Sequence, residues 1–125
     1  DAAYIGLDGV RALVHSPHLK KLTHLRLRLS DMGDEGCEEI VRSGILKRLK
    51  MLDLMHGRVT DEGAKMLAAC KDARNLELLE ISNNRLTQEG IDALQKAGIA
   101  KVQAAQQYDS TNQDDLEYLF MGDIE

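Results

Sequence analysis

The chain has no tryptophan, one phenylalanine, three tyrosines, one proline and two cysteines in 125 residues. With so few aromatics, a core has to be built from aliphatic side chains. Two cysteines, Cys37 and Cys70, are too few for a disulfide framework, and free thiols suit a reducing cytosol, so a cytoplasmic protein is expected. No apolar run is long enough to cross a bilayer, and no membrane partner is expected. There is no G-x-S-x-G elbow, no phosphate-cradling glycine loop and no Cys–His–Asn set. His15-Ser16-Pro17-His18 has a spacing that some metal sites use, but no cysteine or acid recurs nearby at ligand spacing. These absences predict no enzyme, no metal and no cofactor.

Charge of one sign is missing from the end of the chain. Residues 108–125 hold six acids and no base, whereas residues 1–107 hold 15 acids and 16 bases, for a net charge of −5 overall. A body so close to neutral suggests no basic stripe for phosphates, so no nucleic-acid partner is expected.

What is present is a repeat. Gly9, Gly36, Gly63 and Gly90 recur at one constant interval. Leu22, Leu49 and Leu76 keep the same period, as do Leu25, Leu52 and Leu79, and Leu27, Leu54 and Ile81. Such a period marks a stacked repeat architecture, in which one unit cannot bury its apolar face alone. The L-x-L core alternates with period two and predicts a short strand. Ser30, Gly57 and Asn84 follow at a tight corner, where an Asn amide can bond exposed backbone groups. Apolar residues then fall three and four apart (Cys37, Ile40, Val41; Ala64, Leu67, Ala68; Ile91, Leu94), which predicts a helix. Thr60 and Thr87, with Gly33 and Gly6 in the same column, are expected N-caps. Carboxylates in the first turn and bases near the far end suit the helix dipole, by roughly 0.3–1 kcal/mol each. The repeated glycine points to close contact with the neighbouring coil. Ile99, Val102 and Ala104 resemble a fourth strand, but they follow their counterparts at a shorter interval than the rest.

The stretches LKMLDLMHGRVTDEGAKMLAAC and LELLEISNNRLTQEGIDALQKA resemble the leucine-rich repeats, and within them the ribonuclease-inhibitor-like subclass in a bacterial style. The resemblance covers about residues 5 to 105. It implies an α/β fold: a right-handed leucine-rich-repeat solenoid with a parallel concave sheet and outer helices. Residues 1–107 would form the repeats, with a partial first unit, three full units and a short last strand. Residues 108–125 would form an acidic tail with a C-terminal capping helix around Leu116, Leu119 and Phe120. Because the chain opens inside a repeat, it reads as the C-terminal fragment of a longer repeat protein, able to self-associate through an exposed N-terminal repeat edge.

The residues between the strand leucines should face out from the inner sheet. They form three columns: His24, Met51 and Leu78; Arg26, Asp53 and Glu80, with Gln103 as a candidate extension; Arg28, Met55 and Ser82, with Ala105 as a candidate extension. Arg26 should reach Asp53 across neighbouring strands. This candidate face predicts a protein–protein interaction scaffold with a partner of unknown identity. The alternative is a structural or autoinhibitory capping segment of a larger protein.

Overall fold

The computed structural model describes residues 6–28 and 30–108. The capping helix expected around Leu116 falls outside these residues. In chain order the elements are α1 (Leu7–Val14), a 3-10 turn (Pro17–Leu19), β1 (His24–Arg26), α2 (Gly33–Ser43), a 3-10 turn (Ile45–Lys47), β2 (Met51–Asp53), α3 (Asp61–Ala69), a 3-10 turn (Lys71–Asn75), β3 (Leu78–Glu80), α4 (Gln88–Gln95) and β4 (Val102–Gln103).

The four strands form one parallel sheet in sequence order. Leu25 pairs with Leu52, Leu52 with Leu79, and Leu79 with Val102, so the fourth strand joins the ladder despite its shorter interval. Leu27, Leu54 and Ile81 donate their backbone N–H groups to Asp53, Glu80 and Gln103, each at 2.8 Å. Their side chains are buried with Leu49, Leu52, Leu76 and Leu79 between sheet and helices. Each fully buried leucine contributes about 1.5–3 kcal/mol. Cys37 lies in this core, where burial, reinforced by the charge of Asp34, pushes its thiol far above the usual range; Cys37 and Cys70 are both free.

A polar ladder closes the corners after β2 and β3. Asn84 is buried, and its Oδ1 accepts from Gly57 N at 3.0 Å and Val59 N at 2.9 Å, while its Nδ2 donates to Leu54 O, Ile81 O and Ser82 O. Gln107 repeats this pattern one coil later: its Oε1 accepts from Asn84 N and Leu86 N, and its Nε2 donates to Ile81 O, Ala104 O and Ala105 O. The residues before Gly57, Asn84 and Gln107 take a left-handed backbone: His56 (φ 58°), Asn83 (φ 60°) and Gln106 (φ 53°). Gly57 supplies no amide. Its own N–H is served by the next coil's Asn84, whereas buried Ser30 Oγ has no partner among the described residues.

The helix starts are tied between coils. Thr60 and Thr87 cap their own helices, accepting from Glu62 N and Glu89 N. The carboxylate of Asp34 in turn accepts from Thr60 N (2.8 Å), Thr60 Oγ1 (2.5 Å) and Gly63 N (3.0 Å). Asp61 does the same for Thr87 and Gly90. A Cβ on Gly63 would stand 2.5 Å from Asp34 Oδ1, and one on Gly90 would strike Asp61. The repeated glycine therefore makes room for a carboxylate from the preceding coil rather than for its backbone alone. At Gly36 the obstruction is Met32 of its own coil, because the preceding coil has Leu7 where the others have Asp34 and Asp61. Gly33 is likewise not an N-cap: Met32 holds that position, and Gly33 opens α2 with φ 59°.

Charge segregates between the two rims of the coil stack. One rim, where helices return to strands, carries Lys20 and Lys21 after the first 3-10 turn, then Lys47, Arg48 and Lys50 at the second return. Lys71 and Arg74 lie on the third 3-10 turn, and Lys96 and Lys101 flank the last return. Over residues 15–24, 43–51, 69–78 and 95–101 there are nine Lys and Arg against two acids, Asp72 and Glu77. The opposite rim, spanning residues 6–9, 28–36, 53–63 and 80–90, has nine acids and three arginines. The basic rim corrects the expectation that no basic stripe exists: near-neutrality was an average over two opposed edges. It also corrects the dipole reading of these bases. The last turns of α3 and α4 contain none, and the dipole's influence fades within that turn.

Candidate protein-binding face

The strands place seven of the nine candidate residues around one shallow groove of about 370 Å³: His24, Arg26 and Arg28 from β1 and its extension, Met51 and Asp53 from β2, and Leu78 and Glu80 from β3. This follows from the register, which sets His24 beside Met51 beside Leu78, and Arg26 beside Asp53 beside Glu80. Lys50, Glu77 and Gln103 complete the lining. The sequence reading missed Lys50 and Glu77. Their signal was available, since both occupy the column immediately before the strand, one repeat period apart.

Met55 and Ser82 do not line the groove. Ser82 turns into the corner, where its Oγ accepts from Ala105 N at 2.9 Å, and Met55 is half-buried there. The expected openness of the face also needs correction. Met51 is 8% exposed, Asp53 2% and Ser82 6%. Met51 is flanked by strands on both sides, and Asp53 lies beneath two arginines.

Asp53 is the polar centre of the face. Its Oδ2 receives Arg28 Nε at 2.5 Å, whereas Arg26 Nε stands 3.9 Å away. The closer partner is thus Arg28, from two residues further along, and Arg26 points mostly into solvent. Asp53 Oδ1 accepts from Met55 N at 3.1 Å, and Glu80 Oε1 accepts from Ser82 N at 2.9 Å. Both acids therefore brace the corner that follows their own strand. Among the described residues, no cation pairs with Glu77 or Glu80. Across the strands the surface runs from Arg26 and Arg28 on the β1 side, through Lys50 and Met51 at β2, to Glu77, Leu78 and Glu80 at β3.

The described residues contain no group of three or more His, Cys, Asp or Glu placed to hold a metal ion. His15, one half of the His15/His18 pair, meets Glu39 Oε1 at 3.0 Å. That hydrogen bond, aided by Arg11, draws the Glu39 carboxyl below its ordinary value despite partial desolvation. No helix among the described residues is long and apolar enough to cross a membrane.

Residues 15–41, 49–68 and 72–94 match the family described as Leucine Rich repeat. Among solved structures, a tropomodulin C-terminal domain from Caenorhabditis elegans superposes with a TM-score of 0.62 at 16% identity, covering 93% of this chain and 74% of that one. The actin-binding site 2 of leiomodin-1 superposes with a TM-score of 0.59 at 18% identity, covering 90% and 69%. At these identities the likeness is one of fold. No curated protein matches the chain.

Proposed function

The chain belongs to the leucine-rich repeat family, and from that premise we propose that it is a protein-interaction scaffold presenting its concave groove to a segment of a partner protein. One observation carries the reading. The groove is lined by ten residues, seven of them from the predicted strand columns, and its charges are ordered across the strands. Strands in such a sheet lie about 4.8 Å apart, so the cationic flank on β1 and the acidic flank on β3 are roughly 10 Å apart. A partner segment with an acid over Arg26, an apolar side chain over Leu78 and a base over Glu80 fits in one orientation only. Charge arranged this way contributes register and association rate more than raw affinity. The structurally similar leiomodin-1 domain is by its own description an actin-binding site, which supports a protein as the class of partner. The constant repeat period and the α-helix in each full coil support the ribonuclease-inhibitor-like subclass.

The test is a photo-crosslinking amino acid at position 24 in the full chain, with and without Arg26→Glu and Leu78→Lys. We expect a defined crosslinked partner that the double variant loses while its melting temperature stays unchanged. Crosslinking that survives both substitutions would refute the reading.

A further inference from the structure

We propose that the basic rim is the docking surface for the acidic segment of this same chain that follows Tyr108. The rim's nine bases form no ion pair among the described residues. Seven are lysines, each able to offer an unpaired ammonium. The chain carries its own complement: six acids and no base in residues 108–125, with Asp114, Asp115 and Glu117 close together. The other base-free acidic run, from Asp31 to Glu39, is fixed in α2 and the corner before it, so it is not available to the rim.

The reach is adequate. Tyr108 is anchored at the acidic rim, where its N–H donates to Asn84 O at 2.7 Å and its Oη to Asn83 Oδ1 at 3.1 Å. Lys101 lies seven residues back along the last strand, at most about 25 Å away. Asp114 to Glu117 lie six to nine residues beyond Tyr108, a span of up to about 20–30 Å. They therefore come within reach of Lys101; Lys96 lies on the same return, and Lys71 on the neighbouring one, joined to it where Ala100 N donates to Leu76 O at 3.4 Å. Tethering gives the segment an effective concentration on the order of millimolar, which a free anion at micromolar concentration does not match. Nucleic acid is the less suited occupant. The four rim segments contain no Phe, Tyr or Trp on which a base could stack.

Zero-length carbodiimide crosslinking of the full chain, read by mass spectrometry, tests the proposal. We expect bonds from Asp114, Asp115 or Glu117 to Lys96, Lys101 or Lys71 within a single chain, fading as salt rises to about 0.5 M and the screening length falls to a few ångströms. Absence of these bonds, or their appearance only in species of doubled mass, overturns it. A second readout uses poly-glutamate as the probe. The variant D114N/D115N/E117Q should bind it about tenfold more tightly than the unaltered chain, because the tethered competitor is gone. Adding K96Q/K101Q should reverse the gain. Equal affinity of the unaltered and tail-neutralised chains overturns the proposal, as does an RNA oligomer that binds the unaltered chain as tightly as poly-glutamate binds the variant.

Discussion

Asp34 braces a helix that is not its own: its carboxylate holds Thr60, at the start of the next coil, through the backbone N–H at 2.8 Å and the hydroxyl at 2.5 Å. A residue that reads as an ordinary first-turn acid is thus a clamp between coils. Asp61 and Thr87 repeat it, and the clamp stops where Gln88 takes the aspartate's column and bonds Asp92 in its own helix.

Replacing Asp34 or Asp61 by alanine should each lower the unfolding free energy by about 1–2 kcal/mol, the range for lost helix caps. Urea titration at neutral pH measures this. Costs below about 0.3 kcal/mol would mean the clamps are incidental.

Gly90→Ala should destabilise more than an alanine does at an open helical position, because its Cβ would strike Asp61. Combining it with Asp61→Ala should cost less than the sum of the two changes, with a coupling of about 0.5–2 kcal/mol. Strict additivity would show that the glycine column answers to something else.

Partial burial works to raise the Asp61 carboxyl, but hydrogen bonds from Thr87 and Gly90, with Lys65 nearby, outweigh it and hold the group below its ordinary value. A depressed folded value stabilises the native state fully above the unfolded value of about 3.9. That contribution disappears as pH falls through the lower folded value. The melting-temperature gap between the unaltered chain and Asp61→Asn should therefore be widest above about pH 5 and close towards pH 2. A gap independent of pH contradicts the assignment.

Arg28→Ala should destabilise by about 1 kcal/mol, since buried Asp53 loses its nearest cation, although half of the Arg28 side chain is solvated and screening limits the loss. Arg26→Ala should be nearly silent. Thermal melts of the two variants separate them, and the reverse order would restore Arg26 as the partner.

Asn84→Ala strands the N–H groups of Gly57 and Val59 inside the stack and should cost about 3 kcal/mol. Gln107→Ala removes the same pattern from the more exposed last coil and should cost about 1 kcal/mol. Equal losses would argue against the equivalence of the two amides.

The leucine columns were legible because burial against a sheet imposes a period of two within a strand, and stacking imposes a fixed period between coils. Leu25, Leu52 and Leu79 could be placed on adjacent strands from spacing alone, and Val102 from the same motif at a shorter interval. Gln107 follows Asn84 at the same shortened interval at which Val102 follows Leu79, so its column was legible. Its role was not, because a different amide on a longer side chain stands there and only the hydrogen bonds show that it reaches the same backbone groups. The candidate groove was legible as to seven of its ten lining residues, since strand alternation decides which side chains face inward. How exposed each one is was not legible, because that depends on what the neighbouring strands lay over it.

By itself the sequence determined the repeat, the strand ladder and the starts of α3 and α4, since these follow from recurring periodicity and local capping chemistry. Only the tertiary structure decided that Asp34 serves Thr60, that Arg28 rather than Arg26 covers Asp53, and that a nearly neutral body has one basic and one acidic rim. Those outcomes depend on contacts between residues a whole coil apart in the chain, and electrostatics and hydrogen bonding are set by distance in space rather than by position in the sequence.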